Sequence, residues 1–290
     1  MMCWVDGRLA PISAASVPVL SNAIFRGTTV FDVISIVPTR RGPAAVGLRE
    51  HLERFMNSML SMYMTPSVSV EDLAEAIREV VAANPGCGIV RTVACWDGAP
   101  ALVPADRTPR VVVTAEPSGP AARPSIALQS AVAKIDPVVM PTQIKVAAMY
   151  AAGIRAQIAA QNDGFDAIVS RSGEGLLTEG VSSSVVLVAD GRLVAPPLAE
   201  VLDSITRALV LDAASGVSIQ AEIRSVPWDE VRLAQAAFMS STTAPILPIR
   251  RIDDTIYQVD HPIVAALQDV VASVLADDHH LSQRWLSPLA

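Results

Sequence analysis

The sequence predicts a two-domain α/β (α+β) protein, and three features carry that expectation. Segments rich in β-branched residues alternate with segments of helical periodicity. A Pro/Gly/Ser-rich stretch without apolar periodicity, EPSGPAARPS at 116–125, interrupts the pattern and reads as a linker between residues 1–115 and 126–290. The chain has 290 residues, 51% of them hydrophobic, which is enough apolar material for one large domain or two modest ones.

Taken in order, FDVISIV at 31–37 reads as a buried strand because of its β-branched content. The turn signals of PTRRGP follow, and then a helix in which Leu52, Phe55, Met56, Met59 and Leu60 recur at helical spacing. Ser69 with Asp72 three residues on predicts a capping box. The helix it opens has Leu73, Ile77, Val80 and Val81 on one face and is stopped by Asn84-Pro85-Gly86. Strands are expected around VRTVACW and RVVVTAE, completing the smaller first domain. Beyond the linker a strand near 126–133 and a helix over 146–161 are expected. A hairpin turning at Asp190-Gly191 follows, joining SSVVLVA to RLVAPP. A helix starting near Ser204, the segment AAFMSSTTAPILPI and a C-terminal helix near 262–276 close the chain.

Composition narrows the function. No apolar run approaches the roughly 20 residues needed to span a bilayer. The N-terminal MMCWVDGRLAP meets Asp6 and Arg8 before an apolar stretch develops, so no secretory signal and a cytoplasmic location are expected. A net charge of −7 without a Lys/Arg cluster argues against nucleic acid as a partner. Cys3, Cys87 and Cys95 have no CxxC spacing, so neither a disulfide framework nor a zinc site is expected. Only Lys134 and Lys145 are lysines, so chemistry requiring a side-chain amine has two candidates.

Four separated segments combine into a pattern. They are GTTVFD (27–32) with EHLERF (50–55); QIKVAAMY (143–150); LLTEGVSSSVVLV (176–188) with LDSITR (202–207); and FMSSTTAPILPI (238–249). In this order and spacing the chain resembles the fold-type IV, class IV aminotransferases. That family includes branched-chain and D-amino acid aminotransferases, R-selective amine transaminases and aminodeoxychorismate lyases. The resemblance runs from about residue 4 to 252. It implies pyridoxal 5'-phosphate (PLP) in the cleft between two domains, a homodimer or larger assembly, and ping-pong transfer of an amino group from a small amino acid or amine to a 2-oxoacid.

The same resemblance assigns the residues. Lys145 matches the lysine that carries the cofactor, a role that needs an amine able to link an aldehyde and shuttle a proton. Glu179 in LTEG matches the carboxylate that faces the pyridine nitrogen. Arg54 matches the phosphate arginine, whose fork suits bidentate binding. Ile205 and Thr206 open a helix whose free N–H groups suit an anion, and Ser241 and Thr242 match a second phosphate loop. Tyr150 matches the tyrosine at the ring hydroxyl, although a core aromatic on a helix is an equal reading.

On the substrate side the motifs depart from each subfamily. Phe31 and Val33 are expected to line the pocket, Val33 narrowing it where a glycine is usual. Asp32 stands where a glutamate is usual, Ser35 where an arginine is, and Ser184 where an asparagine is. FDV here resembles the YDV of R-selective amine transaminases. Arg26 and Arg91 are the candidates for a substrate carboxylate, though either could equally be structural, and Thr243 is a further substrate-side candidate. The loop WDGAPALVPADR contains no histidine, which argues against a D-amino acid specialist. A pyruvate-eliminating lyase on the same scaffold and a non-catalytic PLP-binding relative remain alternatives.

Overall fold

The computed structural model describes residues 1–119, 123–132 and 138–290. Two compact units emerge: Met1–Gly119 with Ile144–Ala148 and Leu275–Ala290, and Pro120–Gln143 with Met149–Val274. The sequence expectation of one domain over 126–290 differs at two segments, each for a visible reason. Residues Leu286–Pro288 pair antiparallel with the strand Gly42–Val46, and Val146 bridges to Val30. Of the expected linker, residues 120–122 lie outside the described residues, as does Lys134.

The first unit is built on β1 (Met2–Val5), β2 (Arg8–Pro11), β3 (Val30–Thr39), β4 (Gly42–Val46), β5 (Ile89–Cys95) and β6 (Arg110–Glu116). The C-terminal strand enters at one edge, giving the order Leu286–Pro288, β4, β3, β5, β6, β1, β2. Strand β3 alternates strictly, Val30, Asp32, Ile34 and Ile36 buried and Phe31, Val33 and Ser35 half-buried, because successive side chains leave a strand on opposite faces. The short helix α1 (Asn22–Phe25) precedes β3. Helix α2 (Leu48–Ser61) packs on β3 and buries Leu48, His51, Leu52, Phe55, Ser58 and Met59, the stripe expected of a 3.6-residue period. Helix α3 (Val70–Ala83) carries the expected capping box at Ser69 and Asp72 and ends where Asn84 was expected to stop it.

In the second unit are β7 (Ile126–Ala131), β8 (Ala167–Arg171), β9 (Leu177–Gly180), β10 (Ser184–Ala189), β11 (Arg192–Ala195), β12 (Ala221–Ile223), β13 (Ala236–Ser241), β14 (Ala244–Ile252) and β15 (Thr255–Ile256). The order is β12, β11, β10, β13, β14, β7, β8, β9, and β9 returns to pair with β10. The strands from β10 round to β9 thereby close on themselves, removing open edges there. One side of this arrangement holds an apolar cluster that includes Leu128, Val169, Leu177, Val185, Leu187 and Met239. The β10–β11 hairpin turns at Asp190 and Gly191, both at positive φ, as a two-residue primed turn requires. The helices are α4 (Ala147–Asn162), α5 (Ile205–Gly216), α6 (Trp228–Leu233) and α7 (Pro262–Leu275), with α5 packed on β13 and β14. Among the described residues no helix is long and apolar enough to cross a membrane.

Candidate active site

In the first unit the amine of Lys145 lies beside β3. Residues 144–148 run antiparallel to the start of that strand: Phe31 N–H donates to Lys145 O (3.1 Å), Ala147 N–H to Thr29 O (2.8 Å), and Val146 bridges Val30. Lys145 N–H donates to Ser58 Oγ at 3.1 Å, so α2 also fixes the segment. The half-buried Lys145 Nζ stands 5.1 Å from the centre of the Phe31 ring, within reach of a cation–π contact. Sequence reading did not single out Ser58. The signal was available, because Ser58 lies seven residues after His51 on the buried stripe.

Asp32 points to the other face of β3 and meets α2. It is fully buried, accepts from Arg54 Nε at 2.8 Å and Nη2 at 2.7 Å, and contacts His51 Nδ1 at 2.7 Å. Val33 N–H donates to the same carboxylate at 2.8 Å. His51 and Arg54 converge because residues three apart share a helix face. Burial by itself would raise the Asp32 carboxyl, but Arg54 and His51 outweigh it and hold it far below the usual carboxylate range. Burial pushes His51 below its ordinary value despite the opposing pull of Asp32, with Arg54 and Lys145 adding to the lowering.

Three substrate-side candidates share the half-buried face. Val33 is opposite Arg91 in the β3–β5 ladder, and Phe31 leaves the strand on the same side as Val33. Arg91 is engaged bidentately by Glu116, at 2.8 and 3.1 Å. Arg26 caps the C-terminal end of α1 and is exposed.

In the second unit Glu179 sits half-buried on β9, and its carboxylate accepts from Leu202 N–H at 3.2 Å to Oε2 and 3.4 Å to Oε1. The loop carrying Leu202 is stapled by Gln143, whose Nε2 donates to Leu198 O and Val201 O and whose Oε1 accepts from Asp203 N–H. Gln143 was also not singled out by sequence. At the start of α5, Ser204 Oγ caps Arg207 N–H at 3.2 Å. That leaves the N–H groups of Ile205 and Thr206 without an intrahelical acceptor, pointing out of the helix end. Arg207 is buried and donates to Pro196 O at 2.8 Å; burial lowers it, against Asp203 and Glu179. Ser241 ends β13 with its Oγ on Ala244 O at 3.4 Å, while Thr242 and Thr243 form the two-residue turn into β14. Tyr150 is half-buried on α4.

Chemically, one unit offers an amine over an apolar ring and a guanidinium fixed by a buried acid. The other offers a carboxylate held by a backbone donor and a helix start with free N–H groups. Taken unit by unit, the first has groups that suit an aldehyde and an anion, and the second groups that suit an anion and a basic ring nitrogen. No group of three or more His, Cys, Asp or Glu suited to a metal ion occurs among the described residues.

A family model described as Amino-transferase class IV matches residues 29–252. A branched-chain-amino-acid aminotransferase of Salmonella typhimurium is 27% identical over 99% of this chain and 96% of its own. Among solved structures, the branched-chain aminotransferase from Thermoproteus uzoniensis with norvaline superposes with TM-score 0.94 at 27% identity, covering 100% of this chain and 99% of that one. The branched-chain amino acid aminotransferase from Thermobaculum terrenum in its PLP-form gives TM-score 0.91 at 28% identity, covering 100% and 98%.

Proposed function

Because this chain belongs to the class IV aminotransferases, we propose that it moves an amino group from a small amino acid or amine to a 2-oxoacid, in ping-pong fashion, with PLP on Lys145. The observation that carries the assignment is the placement of Lys145: its backbone is fixed on both sides by β3 and Ser58, and its amine faces the Phe31 ring. Its relatives are named as aminotransferases, and no finding favours pyruvate elimination.

When bound, PLP supplies an electron-accepting ring that weakens the donor's bond to hydrogen. The chain's residues do the rest. Lys145 Nζ would be the amine that holds the cofactor aldehyde and, once released from it, the base that moves a proton from the donor carbon. Glu179, held by Leu202 N–H, would face the ring nitrogen and favour its protonated form. Arg54, the Ile205 and Thr206 N–H groups, Ser241 and Thr242 would hold the phosphate, and Tyr150 the ring hydroxyl. Phe31 and Val33 form an apolar wall for the substrate. Arg26, Arg91 and Thr243 are its carboxylate partners, with Arg26 the more available because Glu116 already engages Arg91.

The enzyme works in the cytoplasm as a homodimer. The exposed apolar residues Val19, Leu20, Ile24 and Phe25, close together along the chain, support burial against a second copy. The names of its relatives make branched-chain amino acids the first donors to try. The test adds L-leucine, L-valine or (R)-1-phenylethylamine to the PLP-loaded protein with 2-oxoglutarate. Bleaching of the visible band by a donor, with glutamate formed, supports the reading. A coloured protein that converts no donor overturns it.

A further inference from the structure

Glu179, Ser184 and Ser240 form one row across three strands. Ser184 on β10 is opposite Glu179 on β9 and opposite Ser240 on β13. Directly opposed residues of antiparallel strands leave the sheet on the same face, so the three side chains project together. The neighbouring pair Val185 and Met239 leaves on the other face, into the apolar cluster. Gly180 lies over that other face as well, since a Cβ there would come within 2.7 Å of Met239 Cε.

Both hydroxyls are buried, Ser184 at 3% and Ser240 at 0% exposure, and neither has a hydrogen-bond partner among the described residues. Two unpaired hydroxyls side by side in a packed sheet are unfavourable, and a buried polar pocket of this kind holds water when two or more polar groups converge on it. Neither hydroxyl bonds the other although the two residues are directly opposed, so a single bridging molecule would satisfy both. Ser240 also sits where the β13–β14 register shifts, between Met239 and Ser241, which loosens the ladder at this point.

We propose that Ser184 and Ser240 together bind one ordered water molecule and that this water donates to the Glu179 carboxylate, making the serine pair a positioning unit for it. The inference rests on the reading of Glu179 as the partner of the cofactor's ring nitrogen. The water relays each hydroxyl's polarity to a carboxylate already held by Leu202 N–H. Arg207 on α5 and Asp203 just before it are the charged groups that share this electrostatic environment with Glu179. They are unchanged in every variant below.

The test compares wild type with Ser184→Ala, Ser240→Ala, the double variant and Ser184→Asn, whose longer amide can reach across without water. Losing a donor raises the proton affinity of Glu179 and draws the ring proton toward it. A less positive ring then holds the proton on the lysine-linked nitrogen more tightly. The pH midpoint of the visible band is therefore expected to rise by about half a unit or more in each alanine variant. Because one water serves both hydroxyls, the double variant is expected to shift no further than either single one, and Ser184→Asn to restore the wild-type midpoint. In the cofactor-free protein each alanine variant should melt at a lower temperature than wild type. Removing a hydroxyl that is unpaired would instead raise the melting temperature. Unchanged midpoints, additive shifts, or raised melting temperatures in a coloured protein overturn this inference alone. A wild type that takes up no PLP overturns the reading of Glu179 and this inference with it.

Discussion

Arg54 grips Asp32 with two nitrogens, Nε on one carboxylate oxygen at 2.8 Å and Nη2 on the other at 2.7 Å, and the acid has no exposed surface. Such a fork fixes the plane of the guanidinium as well as its position. Asp32→Asn keeps the shape but leaves Arg54 as a largely buried cation with half its partner gone. Loss of about 3–5 kcal/mol is expected from breaking a buried pair on one side, read by urea denaturation of the cofactor-free protein. PLP affinity should fall with it. A change under about 1 kcal/mol would mean that Arg54 turns readily to solvent, as exposed ion pairs do.

The same cluster sets a pH response. His51 is lowered in the folded protein, so the unfolded chain binds its proton more readily. Stability is therefore lost as pH falls below about 6.5, the ordinary histidine value. Asp32 is lowered too, so its contribution is present above about 4 and is lost as pH falls further. Denaturation midpoints measured from pH 8 down to 5 should decline in wild type and flatten in His51→Gln. Equal slopes in the two proteins would place the response elsewhere.

Ser58→Ala removes the acceptor for Lys145 N–H at a buried position. Leaving that N–H unpaired costs about 1–3 kcal/mol, and the freed segment should also loosen Lys145 relative to Phe31. The expected signature is weaker PLP binding, measured by fluorescence titration, beyond what lower stability explains. Wild-type affinity in the variant would show that β3 alone fixes the segment.

For the substrate carboxylate, Arg26→Gln and Arg91→Gln separate the two candidates. Losing a charge-assisted hydrogen bond should raise KM for an amino acid donor by about 10- to 100-fold, with little change for an amine donor that lacks a carboxylate. The larger effect is expected at Arg26, because Arg91 is engaged by Glu116. The reverse order would mean that Glu116 releases Arg91 when substrate binds.

Much of this architecture is legible in the sequence wherever local chemistry and global fold agree. The capping box at Ser69, the stop at Asn84 and the Asp190-Gly191 hairpin are local devices, and each appears where it was read. Short or long-range elements are not legible. The pairing of Leu286–Pro288 with β4 joins opposite ends of the chain, and the return of β9 to β10 rests on four residues whose sequence, LTEG, has no strand periodicity. Motif positions single out Lys145, Glu179 and Arg54, but the residues that hold them are visible only in three dimensions. Ser58 and Gln143 are ordinary polar residues until their hydrogen bonds are seen. Asp32 reads as a departure from a motif, and the structure makes it the buried anchor of Arg54.

Trapping shows directly whether Lys145 carries the cofactor. The PLP-incubated protein is reduced with borohydride, digested, and its peptides are mapped by mass spectrometry. A pyridoxyl-phosphate adduct is expected on the peptide containing Lys145, absent in Lys145→Ala. An adduct on Lys134, or none on any lysine in a protein that absorbs no visible light with PLP, would contradict it.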